Sequence, residues 1–297
     1  MTATATSHDA VVPPRVAQAP VVPAYKKRRS VIVWASYAWL FLIIALAAIV
    51  SLLPLADYTV PVGTSRLTPQ FGSPDLLFGT DNLGRSILSR SLYGARVSMV
   101  VGVVAGLTGC LIGMVLGLLA GYLGGRTDWF ISFLADAMLA FPPLILLLAL
   151  ASILIPSVTT ILIGLSLVTV PTFIRLARAN TIAWASREFV RAAKNMGAGN
   201  ARILTKEILP NLLPGIGAYL PIVVAALIVA EGSLSFLGLG IPSPTPSWGG
   251  MINDGKDAIA TSPHIVFIPA AVIFFTVFSL NQVGDHLRTR FDRATQR

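Results

Sequence analysis

The sequence predicts an all-α integral membrane protein of about six transmembrane helices, with both termini cytoplasmic. Two observations lead there. First, 55% of the 297 residues are hydrophobic and only 12% charged, with a mean hydropathy of +0.76, whereas a soluble domain carries about 25% charged residues. So little charge cannot cover a water-exposed surface, but lipid-facing side chains need none. Second, the apolar residues are gathered into runs of spanning length, and the segments between them carry asymmetric charge.

Residues 1–29 are rich in Ala, Val, Pro and Thr without apolar periodicity and are expected to form a disordered cytoplasmic tail. Lys26-Lys27-Arg28-Arg29 precede an apolar run over 31–53. That run is longer than a signal-peptide core of about 7–15 residues and starts late, so it reads as a first, uncleaved span. Trp34, Tyr37 and Trp39 suit an interfacial belt at its basic end. Residues 54–96, with Pro54, Pro61, Pro69 and Pro74, read as an outer loop.

The second span is expected over 97–119. Gly109, Gly113, Gly117 and Gly121 recur every four residues there, nearly on one helix face, where a neighbouring helix can approach closely. After the turn Gly124-Gly125-Arg126 comes a third span over 129–155, interrupted by Pro142-Pro143. The fourth is expected over 158–176, the fifth over 212–239 after a polar loop at 184–210, and the sixth over 263–283. Residues 30–290 thus make one membrane domain, and 291–297 a short cytoplasmic tail.

Charge orients this topology. Of the 22 Lys and Arg residues, the outer segments hold five, Arg66, Arg85, Arg90, Arg96 and Lys256. The inner segments hold the rest, which places both termini in the cytoplasm. The net charge of +9 is therefore accounted for by orientation. No basic stripe is interleaved with stacking aromatics, so nucleic acid is not an expected partner. The lone Cys110 can form neither an intrachain disulfide nor a metal site.

The chain does not read as an enzyme, and no bound cofactor or metal is expected. Gly250-Met-Ile-Asn-Asp-Gly255-Lys256 fits Gly-x4-Gly-Lys, but Asp257 stands where a Ser or Thr would hold magnesium, and no strand precedes it. A serine protease needs a base beside its nucleophile. The three histidines, His8, His264 and His286, lie in tails or at a span edge. Asp136 and Glu231 are the acids within or near apolar runs, where an acid lines a pathway or makes a structural pair. Asp136 favours pairing with a basic residue near the cytoplasmic face. For Glu231 both roles stay open.

The most informative segment is 188–210. Phe189, Ala192, Ala193 and Met196 fall at i, i+3, i+4 and i+7, one apolar face of a short helix. Gly197 follows where a helix C-terminus favours a left-handed residue. Asn200 is placed to cap a second helix carrying Ile203, Leu204 and Ile208 up to Pro210. A cytoplasmic helix with an apolar face needs a surface to cover it: the chain's own spans, the lipid surface, or a soluble partner.

The pattern Ala192-Ala193-x3-Gly197-x10-Ile208-Leu209-Pro210 resembles the "EAA" loop of ABC importer permeases, with Arg191 where the family has Glu. Phe78-Gly-Thr-Asp-Asn-Leu-Gly-Arg-Ser-Ile-Leu-Ser-Arg90, with Gly94-Ala-Arg-Val-Ser98, resembles the segment before the second span of dipeptide and oligopeptide permeases. Glu231 to Gly240, Pro244 to Gly249, and Asp136 to Pro142 are similar to further stretches of the same group. These motifs run in order over roughly 30–290 and resemble the C-type permease of the dipeptide/oligopeptide/nickel family.

The resemblance implies a type I ABC importer permease fold, multi-pass in a bacterial inner membrane, forming half of a peptide pathway. It implies a second homologous permease, two cytoplasmic ATPase subunits that hold ATP and magnesium, and an extracytoplasmic substrate-binding protein. It assigns ATPase coupling to Phe189, Arg191, Ala192, Ala193, Met196, Gly197, Asn200, Ile208, Leu209 and Pro210. Nickel or glutathione are the alternative cargoes. From the physics alone, a channel or secondary transporter working without an ATPase is the alternative function.

Overall fold

The computed structural model describes residues 31–155 and 157–295; the tail expected over 1–29 lies outside them. Among the described residues the regular elements are all helices, with two isolated bridges, Pro61 to Arg85 and Thr80 to Ser86, and no strand. Five helices are long and apolar enough to cross a membrane, and a bent pair makes a sixth crossing if its halves count as one.

Helix α1 (Val31–Ile49) ends in a single 3-10 turn. Helix α2 runs Ile87–Leu123, starting ten residues before the expected 97. Hydropathy misplaces this start because Arg90 and Arg96 interrupt the apolar run, yet both find partners within the chain. Ser86 caps the helix by accepting from Ser89 N. Arg90 pairs with Asp81 and Asp254. Arg96 donates to the carbonyls of Ala47 and Ala48 and to Ser51 Oγ. The Arg96 cation thus sits on the negative end of α1.

The expected span 129–155 is not one helix. It is α3 (Gly125–Leu139) and α4 (Pro143–Ile153), bent by 82°. The cause is local: Pro142 and Pro143 have no N–H for the carbonyls of Met138 and Leu139, and a proline ring clashes with the turn before it. Helix α5 (Val158–Ala185) begins at Ser157, which accepts from Thr160 N, and continues past the expected end at 176. Its extra turns carry Arg178, which pairs with Asp128 on α3.

Helices α6 (Glu188–Asn195) and α7 (Asn200–Arg202) lie between the fourth and fifth spans. A π-helical stretch, Ile203–Ile208, joins α7 to α8 (Leu209–Phe236), so 200–236 is one continuous 37-residue rod. The expected break at Pro210 is therefore absent. The wider π turn, closed by Leu209 N to Leu204 O, accommodates a proline that would clash in a regular α turn. Helix α9 (Trp248–Gly255) lies in the outer loop. Helix α10 (His264–Thr295) runs past the expected end at 283 into the expected tail, since no Pro or Gly follows Gly284 to stop it.

Helix α2 is the centre of the bundle, with α5 on one side and α8 on another. The two glycine sets divide between them. A Cβ on Gly113 would lie 2.6 Å from Phe173 Cβ and from Val170 O, and one on Gly117 2.5 Å from Ile174 O, all on α5. Gly109 and Gly121 meet α5 as closely, through Thr169, Ser166, Arg178 and Thr181. Gly102 and Gly106 instead face Val224 and Ile228 of α8. Large apolar side chains such as Phe41, Leu111 and Phe274 are exposed on the outside of the bundle, as lipid permits.

Candidate functional site

The cytoplasmic loop is built around one turn. Helix α6 has Glu188 in its first turn and Lys194 in its last, each complementing the helix dipole. Gly197 takes φ +81°, and two bonds close the turn: Gly197 N to Lys194 O (3.0 Å) and Ala198 N to Ala193 O (3.1 Å). This pair of bonds is the Schellman motif, which needs a left-handed residue at Gly197. Nothing lies within 4 Å of where a Cβ on Gly197 would sit, so the backbone alone demands glycine there.

The structure divides the expected apolar face of α6. Ala193 turns inward with Val190; both are buried, and Val190 joins the core cluster that holds Ile203 and Ile208. Phe189, Ala192 and Met196 turn outward, Met196 to 82% exposure. Val190 was not among the expected residues; its i, i+3 spacing to Ala193 is the signal that marks the inner stripe. Phe189 leans on Trp184 (centroids 6.2 Å apart), over which Arg187 stacks at 5.5 Å. Arg191 and Pro210 are exposed, while Leu209 is half-buried.

Asn200 does not cap the second helix. The turn ends with Ala198, so Gly199 takes the cap position and Asn200 becomes the first helical residue. Its Oδ1 instead accepts from Tyr122 Oη at 3.2 Å, tying the loop to the inner end of α2.

Two acids stand apart from the loop. Asp136 on α3 pairs with Arg175 Nη2 on α5 at 2.7 Å, and both side chains are about 60% exposed. Glu231 on α8 is 1% exposed. Its Oε2 accepts from Ser98 Oγ (3.0 Å) on α2, and its Oε1 from Ser235 Oγ (2.7 Å). Ser98 Oγ accepts in turn from Trp248 N, and Ser235 Oγ from Ser247 Oγ. The fully buried Trp248 also donates from Nε1 to Ser91 O at 3.0 Å. Glu231 is thus the hub that fastens the outer helix α9 to α2 and α8.

A second polar cluster holds the outer loop. Asp81 accepts from the backbone N–H groups of Leu83 and Arg85 and from the Arg85 guanidinium (Nε 2.8 Å, Nη2 2.7 Å). Arg90 lies against the same carboxylate at 3.4 Å and against Asp254 at 3.6 Å. Partial burial holds the Asp254 carboxyl above its ordinary value, against the opposing pull of the Arg90 cation. Sequence reasoning marks the stretch 78–90 but not its partner Asp254, which is far away in the chain.

Residues 113–297 match the family of binding-protein-dependent transport system inner membrane components. The glutathione transport system permease protein GsiD of Shigella flexneri is 40% identical over 215 residues, covering 72% of this chain and 71% of that protein. GsiD of Salmonella typhimurium matches equally, at 40% over the same shares. Among solved structures, an inward-facing MetNI methionine ABC transporter chain superposes with a TM-score of 0.56 at 16% identity, covering 68% of this chain and 96% of that one. That likeness establishes the fold. A multi-pass bundle with these relatives belongs to the binding-protein-dependent transport family of inner membrane components, and the chain is a permease of an ABC importer.

Proposed function

We propose that this permease forms half of the pathway of a short-peptide importer and is driven through the loop 188–210. The observation that carries the coupling is the split of α6. Val190 anchors it in the core and Ala193 is buried on the same side, while Phe189, Ala192 and Met196 stay uncovered at the cytoplasmic face. Phe189 at the start of α6 and Met196 just past its end are exposed and can enter a groove on a soluble partner as knobs, and the Gly197 turn holds the helix across that partner's surface.

In this reading a second homologous permease completes the pathway, and two ATPase subunits bind ATP and magnesium and dock on the two permeases' loops. An outer binding protein delivers the solute. This chain itself holds no cofactor. The relatives named as glutathione permeases favour glutathione and small peptides as cargo.

The test is energised uptake of labelled glutathione, with and without competing dipeptides, by cells carrying the complete transporter. Phe189→Asp is expected to abolish uptake while leaving the permease in the membrane. Full ATP-driven uptake by that variant refutes the coupling role. Uptake that neither glutathione nor dipeptides compete for refutes the cargo.

A further inference from the structure

A charged pair and a stretch of non-helical backbone lie side by side on one uncovered face, and neither suits lipid. Helix α3 starts at Gly125 on the side that the charge distribution makes cytoplasmic. Asp136 is eleven residues on, about 16 Å along the helix, within a hydrocarbon core of about 30 Å. Its only contact with Arg175 is the single one described, and both heads are about 60% exposed. Charged side chains at membrane depth face a bundle interior or a water-filled cavity.

The break in the helix is an independent observation. Helix α3 is about 22 Å long, so it stops short of the far side, and the chain turns by 82° before α4. The carbonyls of Met138 and Leu139 cannot receive their helical N–H, because the residues four places on are Pro142 and Pro143. Ala140, Phe141 and Pro142 are all exposed. Irregular backbone at membrane depth is tolerated only where protein covers it or water reaches it. Nothing among the described residues covers it.

We infer that the face carrying Asp136, Arg175 and the 138–142 break lines the water-filled pathway. There Arg175 meets a carboxylate of the passing solute, while Asp136 and the proline-freed carbonyls meet an ammonium. This deepens the importer reading and rests on it. A zwitterionic peptide end fits such a surface, because each of its charges finds an opposite partner while the Asp136–Arg175 contact opens and re-forms.

The test uses the whole transporter in membranes with Cys110→Ser, so that the single introduced cysteine is the one that reacts. Ala140→Cys is expected to react with membrane-impermeant methanethiosulfonate reagents, and Phe41→Cys, on the apolar outside of α1, to stay inert. An anionic and a cationic reagent are then compared at Ala140→Cys. A unit charge at about 7 Å in a watery cavity changes the ratio of their rates about tenfold. Arg175→Gln should therefore lower the anionic-to-cationic ratio about tenfold, and Arg175→Lys should restore it.

An Ala140→Cys as inert as Phe41→Cys overturns the inference, and so does a ratio that Arg175→Gln leaves unchanged. ATP-driven uptake by the Cys110→Ser parent is measured alongside. A parent that imports while Ala140→Cys stays inert refutes the pathway face alone. A wild-type transporter with no ATP-driven uptake of glutathione or dipeptides refutes the peptide-importer reading, whatever the labelling shows.

Discussion

Replacing Gly113 by alanine should loosen the seam between α2 and α5, and the size of the effect follows from what the new methyl meets. Its carbon would sit 2.6 Å from Phe173 Cβ and 2.6 Å from Val170 O, where ordinary contact begins at 3.4 Å. Both obstacles belong to or adjoin the α5 backbone, so no rotamer change relieves them. The helices must separate by about 0.8 Å, and a gap of that order forfeits about a quarter to a half of each neighbouring van der Waals contact. Overpacking of this kind costs about 1–3 kcal/mol, against about 0.5–1 kcal/mol gained by removing a glycine from a helix.

Gly164→Ala is the matched control. Its methyl would meet only the Leu147 Cδ2 tip, at 2.9 Å, which can rotate away. Thermal denaturation of the purified permease in detergent should rank Gly113→Ala clearly below wild type and leave Gly164→Ala at or near it. Equal midpoints for the two variants refute the account of the glycine face.

Three further outcomes follow from the polar clusters and the turn. Asp81→Asn leaves Arg85 and Arg90 buried without their shared anion, at about 3–5 kcal/mol, so outer-face trypsin should cut the segment 54–86 faster; an unchanged cleavage pattern speaks against the cluster as its anchor. Trp248→Phe loses the bond to Ser91 O, worth about 1 kcal/mol, and should lower the thermal midpoint more than Trp129→Phe, a change at an exposed site. Gly197→Ala forces a side chain into the left-handed region at φ +81°, at about 1 kcal/mol. It should weaken assembly with the ATPase about fivefold in a binding titration, and an unaltered affinity refutes the need for that turn.

The spans were legible because membrane burial writes itself as unbroken apolarity, and the glycine stripe because four-residue spacing keeps one face. Boundaries were not, wherever tertiary pairing neutralises a charge that hydropathy counts against a span. Arg90 and Arg96 hid the first turns of α2, and Arg178 those at the end of α5. The bend at Pro142-Pro143 was marked by composition, but its 82° angle was not, and Pro210 misled because the π turn before it absorbs the missing N–H. In the loop, the apolar spacing showed that α6 is amphipathic without showing that Ala193 belongs to the inner stripe with Val190. The Glu231 hub was the least readable feature. Its partners Ser98 and Trp248 come from separate helices, and no local pattern links a serine in one span to a tryptophan beyond another.

These connections give the proposed coupling a physical route. The rod 200–236 starts beside the Gly197 turn, and Glu231 lies 31 residues beyond Asn200 on it, about 46 Å along an unbroken helix. At its inner end the rod is tied to α2 by the Tyr122–Asn200 bond, and at its outer end by Ser98–Glu231. Between these ties the close approach of Gly102 and Gly106 to Val224 and Ile228 leaves no slack. Helices α2 and α8 should therefore move as one body when the loop is displaced, carrying α9 and the outer loop with them. Helix α3 is held differently: Ile131 and Ala135 pack on α2 and α5, the half-buried Asp128–Arg178 and exposed Asp136–Arg175 pairs tie it to α5, and it ends at a hinge of two prolines. A push on the loop should then shift the α2–α8 body against the α3–α4 bend, instead of bending α8 at Pro214 or Pro221, where the helix is continuous. Spin labels on α8 at Gly215 and Phe236 should keep a fixed separation through the ATP cycle, while the separation between labels at Ala140 and Phe236 changes. A changing distance within α8 would mean that its prolines are the hinges and that the rod does not transmit.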